Sequence, residues 1–145
     1  MIRPFQSIIV VRVSRWLARL IQIFALYVIF HGHYSPGGGF QGGALLGASI
    51  LLLRMTEGQS GSQSCFRAGL GLRLGAVGVL IYAGVGLLPV LCGGNYLDYG
   101  YLPFGMEAAQ VRSLGILLVE VGVGLAVMAV LISIFDDLVK EDEHE

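Results

Sequence analysis

The sequence predicts an all-α integral membrane protein, built as a single domain with four transmembrane helices. Of its 145 residues, 55% are hydrophobic and only 13% are charged, whereas a soluble domain carries about 25% charged residues. The hydrophobic residues also occur in long runs, and a helix needs about 20 such residues to cross the hydrocarbon layer. A chain of this length is too short for a transporter built from two repeated halves, so we expect a role inside a larger complex.

The first transmembrane helix is expected over residues 8–33. Its N-terminal half carries Trp16 and a stripe of three arginines on one helix face, Arg12, Arg15 and Arg19. Arginines at such a position extend their charged groups to the membrane surface. We therefore interpret the stripe as an interfacial anchor, and docking onto acidic groups of a neighbouring protein is the alternative.

A glycine-rich hairpin, residues 31–43, joins the first helix to the second. Its sequence is His-Gly-His-Tyr-Ser-Pro-Gly-Gly-Gly-Phe-Gln-Gly-Gly. Proline fits the first turn of a helix, where its missing N–H is not needed, so the second helix is expected over residues 36–54. Glycines four residues apart continue into this helix and predict a smooth face for close packing. The hairpin and packing positions are Pro36, Gly37, Gly38, Gly39, Gly43 and Gly47.

The second half of the chain adds two further helices, expected over residues 70–91 and 111–135. A polar loop, residues 56–64, precedes the first of them. An aromatic loop, residues 92–110, joins the two, and its tyrosines are typical of the aromatic belt at a membrane interface. The tail, residues 136–145, is acidic and is expected to be solvated.

The basic residues predict that both termini are cytoplasmic. Four spans place both ends of the chain on one side, and that side collects every lysine and arginine except Arg112. Cytoplasmic segments of membrane proteins carry this excess of positive charge. The glycine-rich hairpin then lies on the outer side. Cys65 and Cys92 would lie on opposite sides of the membrane, which excludes a disulfide between them.

Glu120 is the first candidate for a functional side chain. It lies eight residues after Arg112 in the fourth helix, hence about 12 Å along the helix axis. A charged side chain inside the hydrocarbon layer costs about 2.5 kcal/mol or more unless it is paired or neutralised. Ser113 and Gly124 share its helix face, which favours contact with protein rather than lipid. Two interpretations remain open: a proton or ion relay, or a structural hydrogen bond to a neighbouring helix.

His31 and His33 are the second candidates, at the end of the first helix. Their spacing of two residues is not the i, i+4 spacing of a helical metal-binding pair, so no metal site is expected. An imidazole with an ordinary pKa of about 6.5 suits proton transfer, but it can also cap a helix C-terminus by binding free carbonyl groups. Both interpretations are open, and His31 is favoured for proton transfer because it lies deeper.

Other classes of function find no support in the sequence. The formal net charge of −1 and the lack of a basic patch argue against nucleic-acid binding. The glycine run lacks the phosphate-binding pattern of nucleotide-binding loops, and the two cysteines do not form a C-x-x-C pair. We expect no cofactor and no enzymatic activity.

The hairpin sequence resembles the signature of the MnhB/MrpB family, whose members are small subunits of multisubunit Na+/H+ antiporters of the Mrp (Mnh, Sha) type. Residues 86–89 (Gly-Leu-Leu-Pro) and residues 113–123 are also similar to that family, and the resemblance extends from about Gln6 to Ile134. One departure matters: where the family commonly has an aspartate preceded by a phenylalanine, this chain has Glu120 preceded by Val119.

The resemblance implies a small four-helix subunit of a large assembly in the plasma membrane. Its partners would be other Mrp-type antiporter subunits and the lipid bilayer, and Na+ and H+ would be the ions that the complex transports. Relatives of this subunit also occur in membrane-bound hydrogenases and related respiratory complexes, where other subunits couple redox chemistry to ion movement. Two alternatives therefore stand beside the antiporter: the same non-redox module in such a respiratory complex, and a purely structural scaffold.

Overall fold

The structure is a computed structural model that describes residues 7–32, 37–62 and 70–141. These residues form four α-helices and one short 3-10 turn: α1 (Ile8–His31), α2 (Gly39–Ser62), α3 (Leu70–Leu91), the turn Tyr99–Tyr101 and α4 (Ala108–Glu141). The prediction of an all-helical chain is confirmed for this part of the sequence. Four residues of the sequence analysis, Gln6, His33, Pro36 and Cys65, lie outside the described residues.

Three of the described helices are long and apolar enough to cross a membrane: α1, α3 and residues 108–139 of α4. The fourth, α2, is not among them, because its apolar part ends at Met55 and only polar residues and glycines follow within the helix. The described part of the chain is therefore all-helical, with three helices suited to a membrane, and a fourth span formed by α2 stays a prediction.

The second helix is longer than expected, since α2 continues through much of the polar segment that follows residue 55. Its only non-helical residue is Gly58, where φ is 78° and the helix breaks. The polar side chains before this break have partners. Thr56 donates a hydrogen bond to the carbonyl oxygen of Leu52 (2.9 Å), and Glu57 binds Arg15 on α1 (2.6 Å). These contacts allow the helix to extend beyond its apolar part.

The fourth helix exceeds its expected bounds at both ends. It begins at Ala108, within the segment expected to be an aromatic loop, and it continues through residues 136–141. The expectation of a solvated tail is wrong for Asp136, which is only 8% exposed. Asp136 follows Ile132 by four residues and therefore lies on the same helix face. Its carboxylate also binds the side chain of Arg54 on α2, so the buried negative charge is compensated.

The helices form a row in the order α1, α2, α4, α3, in which neighbours pack against each other. α2 and α4 run parallel, since Gly39 at the start of α2 meets Glu120 whereas Gly47 meets Leu131. α1 is antiparallel to α2, and α3 is antiparallel to α4. One end of the molecule thus holds the end of α1, the start of α2, the end of α3 and the start of α4. We call it the hairpin end, and the opposite end the tail end.

Glycines bring α4 into backbone contact with both of its neighbours. A Cβ atom placed on Gly43 of α2 would lie 2.5 Å from the carbonyl oxygen of Gly124, and one on Gly78 of α3 would lie 2.5 Å from that of Gly122. A side chain does not fit at such distances. In a membrane, close approach of helix backbones at small residues is a main source of helix association. α4 is therefore the central helix, held on two sides by these contacts.

Two clusters of buried apolar side chains complete the packing. Towards the tail end, Ile50 of α2 packs with Met128 of α4. At the hairpin end, Val85 of α3 and Val111 of α4 pack with Leu102 from the connection between these helices. This second cluster anchors the connection and places its aromatic residues beside α4.

Candidate functional site

The carboxylate of Glu120 lies against glycines at the hairpin end. A Cβ atom on Gly32, directly after α1, would lie 2.5 Å from both carboxylate oxygens, and one on Gly38 would lie 3.2 Å from Oε1. A Cβ atom on Gly39 would overlap the backbone carbonyl of Glu120 itself. We call Gly32, Gly38 and Gly39 the glycine cradle. The cradle exists because these three positions have no side chain. Glu120 occupies the space that such side chains would need, with its own side chain at Gly32 and Gly38 and with its backbone at Gly39.

The backbone of the cradle also depends on glycine at one position. Gly38 has a φ of +150°, a conformation that residues with a Cβ atom rarely adopt. This residue lies in the segment that leads from the hairpin into α2. Glycine is therefore required at Gly38 both for the course of the chain and for contact with Glu120.

Glu120 lies inside the apolar part of α4. It follows the first residue of the helix, Ala108, by twelve positions (120 − 108), which corresponds to about 18 Å along the helix axis. This position falls within residues 108–139, the segment of α4 that is apolar enough to span a membrane. The side chain is half-buried. The arrangement therefore places an acidic group between helices, within a segment suited to the hydrocarbon layer.

A pocket opens beside the carboxylate. Its volume is about 370 Å³, and it is lined by Gly37, Gly38, Gly39, Phe40, Gln41 and Glu120. The lining combines a carboxylate and an amide side chain with glycine backbone, all of which can bind water or a cation. Each buried water needs two to four polar partners, roughly. The pocket therefore has the volume and the polar groups to hold water next to Glu120.

A tyrosine from the α3–α4 connection covers the other side of this region. Tyr99 packs on α4 at Gly115, where a Cβ atom would lie 2.7 Å from the tyrosine ring. Burial raises the pKa of Tyr99, and electrostatic interactions with Tyr82 and Glu120 raise it further. The raised pKa keeps the Tyr99 hydroxyl protonated at neutral pH, so this hydroxyl can act as a hydrogen-bond donor. The sequence alone assigned Tyr99 only to the aromatic belt, as one of several tyrosines in a loop.

The histidines are only partly described. His31 is the last residue of α1, next to the cradle residue Gly32, and its exposed ring stacks on Tyr27 with ring centroids 4.2 Å apart. His33 lies outside the described residues. The structure thus places His31 at the same end of the molecule as Glu120, and a role for either histidine in proton transfer stays a prediction.

The glycines proposed for helix packing lie where α2 meets its neighbours. Gly43 touches the backbone of Gly124, and a Cβ atom on Gly47 would lie 3.1 Å from the side chain of Leu131. Both therefore face α4, as Gly39 does. Gly37 instead lines the pocket beside Glu120.

Two charged residues that the sequence did not single out form an ion pair between α2 and α4. The guanidinium group of Arg54 binds the carboxylate of Asp136, and the exposed fractions of the two side chains are 1% and 12%. From the sequence, Arg54 served only as a positive charge for orientation. The spacing of Met128, Ile132 and Asp136, four residues apart on one face of an apolar helix, was the signal that could have identified the burial of this aspartate.

A second ion pair joins α1 and α2 at the tail end. Arg15 Nε donates to Glu57 Oε1 at 2.6 Å, and 54% of the arginine side chain remains exposed. Arg19 lies over the ring of Trp16, 5.3 Å from its centroid. Part of the arginine stripe is thus used in contacts within the chain. Among the described residues, no group of three or more histidines, cysteines or acids could hold a metal ion.

The fold and the site define a class: an all-helical membrane protein whose helices pack through glycine backbones around a carboxylate. A family model described as "Domain related to MnhB subunit of Na+/H+ antiporter" matches residues 9–133. The chain belongs to this family. The resemblance found in the hairpin sequence is thereby confirmed.

Individual relatives agree with this assignment. The B-type Na(+)/H(+) antiporter subunit of Bacillus subtilis is 28% identical over 123 residues, which cover 79% of this chain and 85% of the relative. The protein of the same name from Alkalihalophilus pseudofirmus matches with the same identity and coverage. An uncharacterized protein of Methanocaldococcus jannaschii is 37% identical over 78 residues, but these make up only 29% of that longer protein.

Proposed function

We propose that this chain is the B-type subunit of a multisubunit Na+/H+ antiporter in the plasma membrane, and that Glu120 belongs to the ion or proton path of the complex. The observation that carries the proposal is the position of the Glu120 carboxylate, inside the apolar part of α4 and open to a polar pocket. Ionisable groups at such depth are costly and usually serve transport. Family membership supplies the class of complex.

The geometry supports a relay in which Glu120 alternately holds and releases a proton or a cation. Water in the adjoining pocket would exchange protons with the carboxylate, and the glycine cradle lets backbone groups come close to it. His31, and His33 next to it in the hairpin, would accept protons at the outer surface. The other antiporter subunits would continue the path, and no redox cofactor takes part in this chain.

The proposed topology has four spans and cytoplasmic termini. α2 packs between α1 and α4, both of which are long and apolar enough to span a membrane. A helix held between two spanning helices, and parallel to one of them along its length, crosses the membrane with them. The hairpin end would then face outwards and the tail end the cytoplasm, in agreement with the distribution of basic residues.

Transport by the whole complex tests the role of Glu120. Na+-dependent proton exchange is measured in inverted membrane vesicles for wild type, Glu120→Gln and Glu120→Asp, at equal amounts of assembled complex. Glutamine keeps the shape but cannot carry a proton at neutral pH, so we expect exchange to fall about tenfold or more. Aspartate keeps a carboxylate on the cradle and should retain exchange.

Glu107→Gln is the matched control, because Glu107 is an exposed acid directly before α4. It should exchange ions like the wild type. If Glu120→Gln also exchanges normally in the assembled complex, Glu120 is not part of the path. The chain would then act as a structural scaffold, for which the glycine contacts already provide a basis.

A further inference from the structure

The Arg54–Asp136 ion pair has no part in the proposed path, yet it is the most deeply buried charge pair that the structure describes. Arg54 is 1% exposed, which is exceptional for an arginine. The pair lies sixteen residues (136 − 120) from Glu120 along α4, hence about 24 Å away along the axis. The apolar cluster around Ile50 and Met128 separates the two sites. Any influence of the pair on Glu120 must therefore act through the helices.

Three contacts along the α2–α4 interface share one register. The first holds Glu120 at the cradle, the second joins two glycine backbones, and the third is the ion pair. Because both helices run in the same direction, the two residues of each contact, one on α2 and one on α4, are separated by almost the same number of positions along the chain. The contacting residues are Gly39 and Glu120, Gly43 and Gly124, and Arg54 and Asp136, with separations of 81, 81 and 82 residues.

The small residues and the ion pair select the same register. A shift of α2 by one residue would bring Leu46 to the position of Gly47 in one direction and Phe40 to the position of Gly39 in the other. Such a shift moves the helix by about 1.5 Å and turns it by about 100°. The ion pair adds to this selection, because Arg54 is the only basic residue of α2 and a shifted helix would move its guanidinium group away from Asp136. Separating a buried ion pair is strongly unfavourable.

We propose that the Arg54–Asp136 pair fixes the register of α2 against α4 and thereby holds the Glu120 carboxylate in the glycine cradle. Both residues are positioning residues, since they act on Glu120 through the helices and touch no transported ion. Buried polar groups that specify helix register are known from coiled coils. An effect of the pair on transport rests on the proposed function. The effect of the pair on the position of Glu120 can be tested independently of that function.

The test measures the reactivity of Glu120 in the assembled complex. Native membranes are treated with dicyclohexylcarbodiimide, an apolar reagent for carboxyl groups, and modification of Glu120 is quantified by mass spectrometry. The double variant carries Arg54→Met and Asp136→Leu. Apolar side chains of similar volume then replace the ion pair, so the helices can still pack. We expect the rate of Glu120 modification to change by about threefold or more. An unchanged rate in the assembled double variant overturns the proposal.

A matched control breaks the other ion pair at the tail end. Arg15→Gln with Glu57→Gln removes this ion pair between α1 and α2 and changes no residue of α4. Its Glu120 should react like the wild type, and a change as large as that of the first double variant would overturn a specific role of Arg54 and Asp136.

A charge exchange keeps the proposal testable if the apolar variant does not assemble. Arg54→Asp places two acids at the interface, and Arg54→Asp with Asp136→Arg restores opposite charges. Recovery of the Glu120 reaction rate towards wild type in the double variant supports the proposal. A double variant no better than the single one contradicts it.

The two proposals fail in different ways. If Glu120→Gln transports normally while the pair variants alter modification of Glu120, the relay is wrong and the register role stands. If Glu120→Gln abolishes transport but the pair variants leave both transport and modification unchanged, the relay stands and the register role is wrong.

Discussion

The contact between Gly43 and Gly124 allows a quantitative test of the packing. In Gly43→Ala the new methyl carbon would lie 2.5 Å from the carbonyl oxygen of Gly124, whereas an ordinary van der Waals contact begins at 3.4 Å. The helices must therefore separate by about 0.9 Å (3.4 − 2.5) at this point. Forcing an extra methyl group into a packed interface costs about 1–3 kcal/mol. The partner atom is backbone, which cannot turn away as a flexible side chain would.

Replacing glycine by alanine in a helix also has a favourable effect, about 1 kcal/mol, through helix propensity. Gly84→Ala isolates this effect, because Gly84 lies inside α3 and a Cβ atom there has nothing within 4 Å. Subtracting the change in unfolding free energy of Gly84→Ala from that of Gly43→Ala removes the propensity effect. The free energy of unfolding of Gly43→Ala should therefore be about 1–3 kcal/mol lower than that of Gly84→Ala.

The measurement is reversible unfolding of the purified chain in mixed micelles, followed by circular dichroism. Gly84→Ala should be as stable as the wild type or slightly more stable. Equal stability of the two alanine variants would show that α2 and α4 are not in backbone contact at Gly43.

Two further predictions concern the connection between α3 and α4. Above a pH of about 10 the tyrosines of the unfolded chain release their protons, whereas burial holds the pKa of Tyr99 higher in the folded protein; stability should therefore fall as the pH rises through this range. Between neutral pH and a pH of about 11, the melting temperature of Tyr99→Phe should fall less than that of the wild type. If both melting temperatures fall equally, Tyr99 is not the source of the pH dependence. Cys92 is a free, exposed thiol at the end of α3, so in a Cys65→Ser background a membrane-impermeant maleimide should label it in right-side-out vesicles and spare it in inverted ones. The opposite pattern would reverse the proposed orientation.

Local patterns in the sequence were sufficient to predict the helices. Long apolar runs mark α1, α3 and α4, and the four-residue spacing of Gly39, Gly43 and Gly47 identified a smooth face on α2. These features depend on residues within a few turns of one helix, so composition and periodicity reveal them. The position of Glu120 within an apolar helix was visible for the same reason.

The partners of these faces could not be predicted from local patterns. Which helix lies beside which depends on contacts between residues far apart in sequence, and several orders of four helices would satisfy the same periodicities. The parallel contact of α2 with α4, and with it the pairing of Arg54 and Asp136, follows from this order. Asp136 was assigned to a solvated tail because the acidic residues after it dominate the local composition. The structure shows that its own helix face is buried, as its four-residue spacing from Met128 and Ile132 could have indicated.

The glycine cradle offers a physical reason why position 120 accommodates a glutamate rather than the shorter aspartate. The side chain of glutamate is longer by one methylene group, about 1.5 Å, and it needs space beyond the point that an aspartate would reach. Gly32 provides that space, since a Cβ atom there would lie 2.5 Å from both oxygens of Glu120. Glutamate at this position and glycine at Gly32 therefore depend on each other. We expect Gly32→Ala to disturb the wild type more than the Glu120→Asp variant, whose shorter side chain withdraws from the added methyl group.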